Sequence, residues 1–255
     1  MPQHQTPHPV AIVGAGPGDP ELLTLRALNR IQAADTILHD RLVPGAILDL
    51  ARPGARLIET GKTGFGATMP QEAINALMIS EAHSGARLVR LKGGDPAVFG
   101  RLDEELDALT AAGIEYEITP GITTASAAVA SIGQSLTRRG RNGSARLITG
   151  HDMQGYADHD WRALAQPGSV AAIYMAKRAA RFIQGRLMMH GAAPDTPVTV
   201  IENASRANQR VLETTLERLP TDLAAADFDG PALTFLGLTP RQSLAALSDL
   251  NMELA

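Results

Sequence analysis

A short apolar run, a glycine-rich turn and an Asp-Pro pair opening a leucine-spaced segment occur twice in this chain. That repeated grammar constrains the fold more than any other feature. Residues 10–13 (Val-Ala-Ile-Val) run into Gly14-Ala15-Gly16-Pro17-Gly18 and Asp19-Pro20, after which residues 21–34 carry leucines and Ile31 at helical spacing. Residues 86–91 run into Lys92-Gly93-Gly94 and Asp95-Pro96, and residues 98–112 read as the next helix. In each case the aspartate is an expected cap and the proline takes the first helical position, where a missing N–H costs little. Further strands at 36–38, 56–58 and 115–118, with a helix at 71–83, make strands alternate with helices. Alternation of that kind implies an α/β architecture with a parallel-rich sheet covered on both faces.

Pro120-Gly121 breaks the pattern, and a small-residue helix over 124–132 follows. A domain boundary is therefore expected there, giving an N-terminal α/β domain over 10–121 and a C-terminal α/β domain over 122–240. In the second half, strands at 145–149, 170–174 and 198–201 and a helix at 177–190 give way to strands at 209–213 and 233–238 separated by one short helix. Such spacing predicts a mixed sheet. Residues 243–250 place Leu244, Leu247 and Leu250 on one helical stripe, so 241–255 reads as a tail helix. Residues 1–9 lack the basic start and apolar core of a secretory signal and read as a disordered cytoplasmic leader.

Composition closes several routes. The 255 residues contain no cysteine, which removes thiolate nucleophiles, disulfides and cysteine zinc sites. His4 and His8 have no further ligands beside them, and no metal is expected. A formal net charge of −4 gives no broad basic face for nucleic acid. No apolar run approaches the length of about 18 residues that a membrane helix needs.

The first glycine turn follows a strand and opens a helix, which invites a dinucleotide reading, with Asp40 near the distance of a ribose-binding acid. Its spacing is GxGxG, however, and Pro17 removes an N–H from a loop that would have to cradle a pyrophosphate. Glycines at such a turn also have a plain conformational use. Asp95 can be an N-cap, Pro120-Gly-Ile-Thr-Thr124 a linker, and Met175 a core methionine.

Taken together and in order, VGAGPGDPELLTLRAL, HDRLV, GK, PQEAIN, RLKGGDPAVFGR, TPGIT, LTRR, TGH and IYM resemble the tetrapyrrole methylase family, most closely its uroporphyrinogen III C-methyltransferase branch. The resemblance runs from about Val10 to Leu238. It implies two α/β domains enclosing a trough, S-adenosylmethionine (SAM) folded between them, and a homodimer in the cytoplasm. The implied reaction is methylation of uroporphyrinogen III at C2 and C7 to precorrin-2, serving cobalamin or sirohaem synthesis. The 255 residues leave no room for a dehydrogenase domain, so methylation alone is expected.

Carried over residue by residue, the resemblance assigns cofactor contacts to Pro17, Gly93, Gly94, Asp95, Val98, Thr123, Thr124, Met175 and Ala204. Val98, Thr124 and Ala204 depart from the family's usual residues but keep modest side chains. Asp40 in DRLV stands at the position of the general base, and Lys62 in GK at that of the acid. Without the resemblance, an exposed Asp40–Arg41 pair and a solvated Lys62 would be the natural readings. Arg41, Arg138, Arg139 and Arg141 are expected substrate contacts, because arginine forks pair with the carboxylates of an octacarboxylate macrocycle. Arg146 adds to that basic stretch. Many relatives read LTHRDYAQ where this chain has Leu136-Thr-Arg-Arg-Gly-Arg-Asn-Gly143, so the family's His and Asp are lost there. His151, in TGH, also matches the family, but a lone histidine at a strand end is more often structural and no catalytic role is assigned to it, and Trp161 is assigned to packing. The competing readings are a methylase of the same fold acting on a later corrin precursor, on RNA or on a diphthamide precursor, and, from another class, a nucleotide-binding dehydrogenase module.

Overall fold

The alternation of strands and helices in the first half builds one parallel sheet, and the alternation of side chains along each strand decides what covers it. A computed structural model of the protein describes residues 8–61 and 69–241. The first half comprises β1 (Val10–Gly14), α1 (Leu25–Ala33), β2 (Thr36–His39), α2 (Gly45–Leu48), β3 (Arg56–Glu59), α3 (Gln71–His83), β4 (Leu88–Lys92), α4 (Leu102–Ala111) and β5 (Tyr116–Thr119). Its strands pair in the order β3-β2-β4-β1-β5, all parallel. In β1, Ala11 and Val13 pack with Ala27, Ile31 and Ile47 on one face. Val10 and Ile12 pack with Met78, Ala82 and Leu109 on the other. This period of two, buried on both sides, is what a helix-covered parallel sheet requires.

The second half comprises α5 (Thr124–Ser131), β6 (Arg146–Thr149), β7 (His151–Asp152), β8 (Gly155–Tyr156), α6 (Trp161–Leu164), β9 (Ala171–Tyr174), α7 (Ala180–Met189), β10 (Pro197–Glu202), β11 (Arg210–Thr215), α8 (Leu219–Ala226) and β12 (Ala232–Leu236). The order β11-β10-β12-β9-β6 gives the expected mixed sheet: β6 and β9 are parallel, and the other pairs are antiparallel. Since β9 and β10 both oppose β12, the strands β6, β9 and β10 run the same way and end on one edge. Ala171 and Ile173 face a cluster with Ile183 and Leu187 of α7. Ala172 and Phe235 face one with Ala125, Ala128 and Val129 of α5. The chain divides into units Met1–Thr124 and Ala125–Ala255, a few residues beyond the expected boundary after Gly121.

Several expected boundaries shift for local reasons. The helix expected over 21–34 is a single 3₁₀ turn, Pro20–Leu22, followed by α1. Leu23 and Thr24 are extended, and the effective cap of α1 is Thr24, whose Oγ1 accepts from the Ala27 N–H at 3.1 Å. Asp19 caps only the short turn, accepting from Glu21 at 2.9 Å. After Asp95-Pro96 the helix starts at Leu102 rather than 98, because Phe99 and Arg101 hold φ of 52° and 56°. The β7–β8 hairpin and the one-turn helices α2 and α6 were not expected. The tail helix and residues 1–7 of the leader lie outside the described residues. No helix among the described residues is long and apolar enough to cross a membrane.

Candidate active site

In the parallel sheet, β4, β1 and β5 are neighbours, so their carboxyl ends deliver three turns to one place. The first and second turns are bonded to each other: Gly16 N–H donates to the Gly94 carbonyl at 3.1 Å, and Gly94 N–H to the Gly16 carbonyl at 2.7 Å. The third turn, Pro120-Gly121, comes closer still. A Cβ on Gly121 would stand 2.2 Å from the Gly94 oxygen, and one on Gly14 would stand 2.6 Å from the Gly121 nitrogen. These glycines are required for backbone-to-backbone contact, and φ of +67° and +70° at Gly16 and Gly94 adds a second reason at those two.

Asp95 fastens the assembly. Its Oδ1 accepts from Ala97 N–H at 2.8 Å and its Oδ2 from Gly121 N–H at 3.0 Å. The helix Asp95 was expected to cap begins at Leu102, so Asp95 caps only the local turn, and its second oxygen ties in the third turn. Val98 closes the same turn, its N–H donating to the Asp95 carbonyl at 3.1 Å. Thr124 lies beside Gly94: a Cβ there would be 3.6 Å from Thr124 Oγ1. Thr123 and Thr124 are half-buried where α5 begins. Pro17 is buried within the first turn, whereas Gly93 is exposed and its missing side chain leaves ordinary room, the nearest atom being Leu42 Cβ at 3.7 Å.

The arrangement suits a nucleoside that carries no phosphate. Pro17 withdraws an N–H where a pyrophosphate would need one, and both Asp95 oxygens are committed to backbone amides. A sulfonium cofactor such as SAM, held by backbone and apolar surface, fits this donor set.

Asp40 follows β2 and is partly exposed. Its Oδ1 accepts from Arg90 Nη2 at 2.5 Å. The exposed Asp40–Arg41 pair is thus half right: Arg41 is exposed, but Asp40 is anchored to the interior. Arg90 is buried in β4, where Glu105 of α4 meets it at 2.9 Å and meets Lys92 at 2.8 Å. Burial works against the Arg90 charge, but the Asp40 and Glu105 carboxylates outweigh it and raise its pKa. Lys92 moves downward, first from burial and then from the neighbouring Arg90 charge. Sequence reasoning passed over Arg90, Lys92 and Glu105. The signal was present in Val89-Arg90-Leu91-Lys92, where cations alternate with apolar residues in a strand of a sheet buried on both faces. Lys62 lies outside the described residues.

In the second unit, the edge where β6, β9 and β10 end is built differently. Met175 follows β9 with φ of 53° and is half exposed, so it is not core packing. Its carbonyl contacts His151 Nδ1 at 3.1 Å, and the absent side chain of Gly150 makes room for it. His151 also lies edge-on to Tyr156, consistent with a structural part. Ala204 is buried in the cluster around Ile201 and Phe235, between Asn203 and Ser205, whose φ values are 51° and 66°. Trp161 is buried, as assigned, and donates to Asp158 at 2.7 Å.

Residues 137–143 line an open hollow of ≈ 580 Å³. Arg138 and Arg139 are exposed on it, whereas Arg141 donates to the Ser135 carbonyl at 2.6 Å and to Asn142 Oδ1 at 2.8 Å, bracing the loop. Arg146 borders a second, smaller hollow with Arg141.

A parallel sheet whose ligand edge is three glycine turns, together with a mixed sheet ending on one edge, defines an α/β class that binds a small molecule at strand termini. The chain belongs to the tetrapyrrole (corrin/porphyrin) methylase family, whose model matches residues 9–220. It is 46% identical over 248 residues to a siroheme synthase of Gluconacetobacter diazotrophicus, covering 97% of this chain and 53% of that protein. A siroheme synthase of Methylococcus capsulatus is 46% identical over 229 residues, 89% of this chain and 48% of that one. The chain thus spans about half the length of these curated relatives. Among solved structures, a uroporphyrin-III C-methyl transferase from Thermus thermophilus complexed with S-adenyl homocysteine is 36% identical. Its TM-score is 0.77, with 90% of this chain and 97% of that one covered. A cobalt precorrin-4 methyltransferase is 27% identical with a TM-score of 0.80, covering 89% and 94%.

Proposed function

We propose that this chain methylates uroporphyrinogen III at C2 and C7 with SAM, giving precorrin-2. The observation that carries this reading is the meeting of three glycine turns at the carboxyl edge of a parallel sheet, where Pro17 takes away an N–H that a pyrophosphate would use. The likeness to a solved uroporphyrin-III C-methyl transferase at 36% identity supports the substrate.

When bound, SAM supplies an electrophilic methyl group. The residues assigned to it are Pro17, Gly93, Gly94, Asp95, Val98, Thr123 and Thr124 in the first unit and Met175 and Ala204 in the second. The chain's work is then alignment of a macrocycle carbon behind that methyl group, which supplies most of the rate. As the new carbon–carbon bond forms and the methyl–sulfur bond breaks, the alkylated macrocycle must lose a proton. Asp40 accepts it, and Lys62 serves as the acid. Arg41, Arg138 and Arg139 meet the carboxylates of the substrate, and Arg141 shapes the loop that presents them. A homodimer in the cytoplasm completes the reading, and sedimentation of the purified protein checks the dimer.

Anaerobic incubation with uroporphyrinogen III and SAM should add two methyl groups, read by mass and absorbance. Asp40→Asn should lower turnover by about 100-fold or more with SAM affinity retained. Calorimetry that found NAD bound tightly and SAM not at all would replace this reading with the dehydrogenase module. A later corrin precursor is the second reading, favoured by the TM-score of 0.80 to the cobalt precorrin-4 enzyme. The higher identity to the uroporphyrin enzyme stands against it, and a competition between the two substrates decides.

A further inference from the structure

Four charged groups run in a chain from the interior of the parallel sheet to the carboxyl end of β2, and the proposed chemistry uses only the last. Arg90 and Lys92 point to the same face of β4, with side chains 2% and 4% exposed. Glu105, fully buried, receives both on one oxygen, Oε1, with Gln71 Nε2 more distant at 3.4 Å. The other oxygen, Oε2, has no partner among the described residues. Arg90 then spends its remaining nitrogens outward: Nη1 on the Leu38 and Leu91 carbonyls at 3.5 and 3.4 Å, and Nη2 on Asp40 Oδ1 at 2.5 Å. Asp40 alone of the four is open to solvent, with a side chain 33% exposed.

Stability does not call for this chain. Replacing a buried ionic cluster with well-packed hydrocarbon is often neutral or stabilising, so a buried arginine linking an interior glutamate to a partly exposed aspartate is not explained by folding energy. What the cluster does supply is orientation. A guanidinium is planar with its donors in fixed directions. With Nε held by Glu105, the direction of Nη2, and hence the place of Asp40 Oδ1, is set by the interior. Lys92 gives Glu105 a second cation of its own, which leaves the Arg90 charge to be shared with Asp40. Oδ2 of Asp40 accepts no hydrogen bond from the described residues.

We infer that Arg90, buttressed by Glu105 and Lys92, is a positioning residue that fixes the Asp40 carboxylate through Oδ1 and so leaves Oδ2 as the proton-accepting oxygen. This inference rests on the assignment of Asp40 as the base.

The test is a square of variants in the full chain: wild type, Arg90→Gln, Asp40→Asn and both together, with kcat and KM for uroporphyrinogen III and SAM measured for each. Arg90→Gln should lower kcat on the order of tenfold to a hundredfold, as a misplaced catalytic group does, with KM for SAM changed little. In the Asp40→Asn background the same change should cost less than about threefold, because a residue that acts through Asp40 has nothing left to act on. Arg90→Lys, which keeps the charge but not the fork, should recover part of the turnover. An equal loss in both backgrounds would show a general structural role and overturn the inference. Should Arg90→Gln misfold, Arg90→Gln with Glu105→Gln removes one cation and one anion together and enters the same square. If Asp40→Asn turns over like wild type, the base assignment falls and takes the inference with it. If wild type methylates nothing, the proposed function falls, and these failures are read in separate arms.

Discussion

The two strand edges of this protein reach comparable ends by opposite means. In the first unit the edge is glycine against glycine: Gly14, Gly94 and Gly121 bring three backbones within contact, and no larger residue fits. In the second unit the residues that turn out of β9 and β10 carry side chains, yet Met175, Asn203 and Ser205 hold left-handed φ. Parallel strands send every turn to one edge, so the turns themselves become the surface. This mixed sheet sends only β6, β9 and β10 there, and the exits of β9 and β10 present side chains. The first design spends conformational freedom to gain proximity; the second accepts backbone strain to aim a residue.

The sharpest way to break this contrast is Gly121→Ala. Its Cβ would meet the Gly94 carbonyl at 2.2 Å with backbone on both sides, and a cost of about 3 kcal/mol is expected in urea unfolding. Gly93→Ala, one residue from Gly94, should stay within about 0.5 kcal/mol of wild type, since its nearest neighbour is 3.7 Å away. It should nevertheless weaken SAM in a titration, because Gly93 is exposed at the proposed cofactor edge. Equal stability losses at 93 and 121 would dissolve the distinction between a packed and an open glycine.

A smaller effect is expected in the second unit. Gly150→Ala would place a Cβ 2.9 Å from the Met175 carbonyl and the Ala176 Cα, costing about 2 kcal/mol. Smaller again, Met175→Gly should relieve the left-handed backbone and stabilise by up to about 1 kcal/mol, after glycine's greater freedom in the unfolded chain is set against it. SAM affinity should fall in the same variant. A loss of both stability and affinity would mean that Met175 is held by packing.

The smallest effect concerns acid. The Asp35 carboxyl is held well below its ordinary value of 3.8, first by hydrogen bonds from the Arg87 side chain and backbone and then by the charges of Arg87 and Arg52. A depressed folded value contributes stability above the unfolded pKa, and that contribution disappears as pH falls through the folded one. Asp35→Asn should therefore flatten the fall in urea midpoint below about pH 4 and leave the pH 6 to 8 range parallel to wild type.

The same contrast explains what the sequence could tell. The first edge was legible because Gly14, Gly94 and Gly121 are compulsory and stood out as turns, and the parallel and mixed sheets followed from strand spacing. Left-handed Met175 or Ser205 leaves no such mark, since nothing in the residue type announces positive φ. The start of α4 was misplaced for a related reason: Phe99 and Arg101 take positive φ on either side of Gly100, and only that glycine marked the break in the sequence. The buried charges escaped because Arg90 and Glu105 are ordinary surface residues by type, and only their pairing across β4 and α4 makes burial tolerable.

The reciprocal bonds between Gly16 and Gly94 amount to a rung of sheet made from two loops. Loops normally surrender their freedom when a ligand arrives, and the ligand's affinity is diminished by that ordering. Here the two loops are already joined in the folded chain, so the nucleoside proposed for this edge has less ordering to impose and keeps more of its contact energy as affinity.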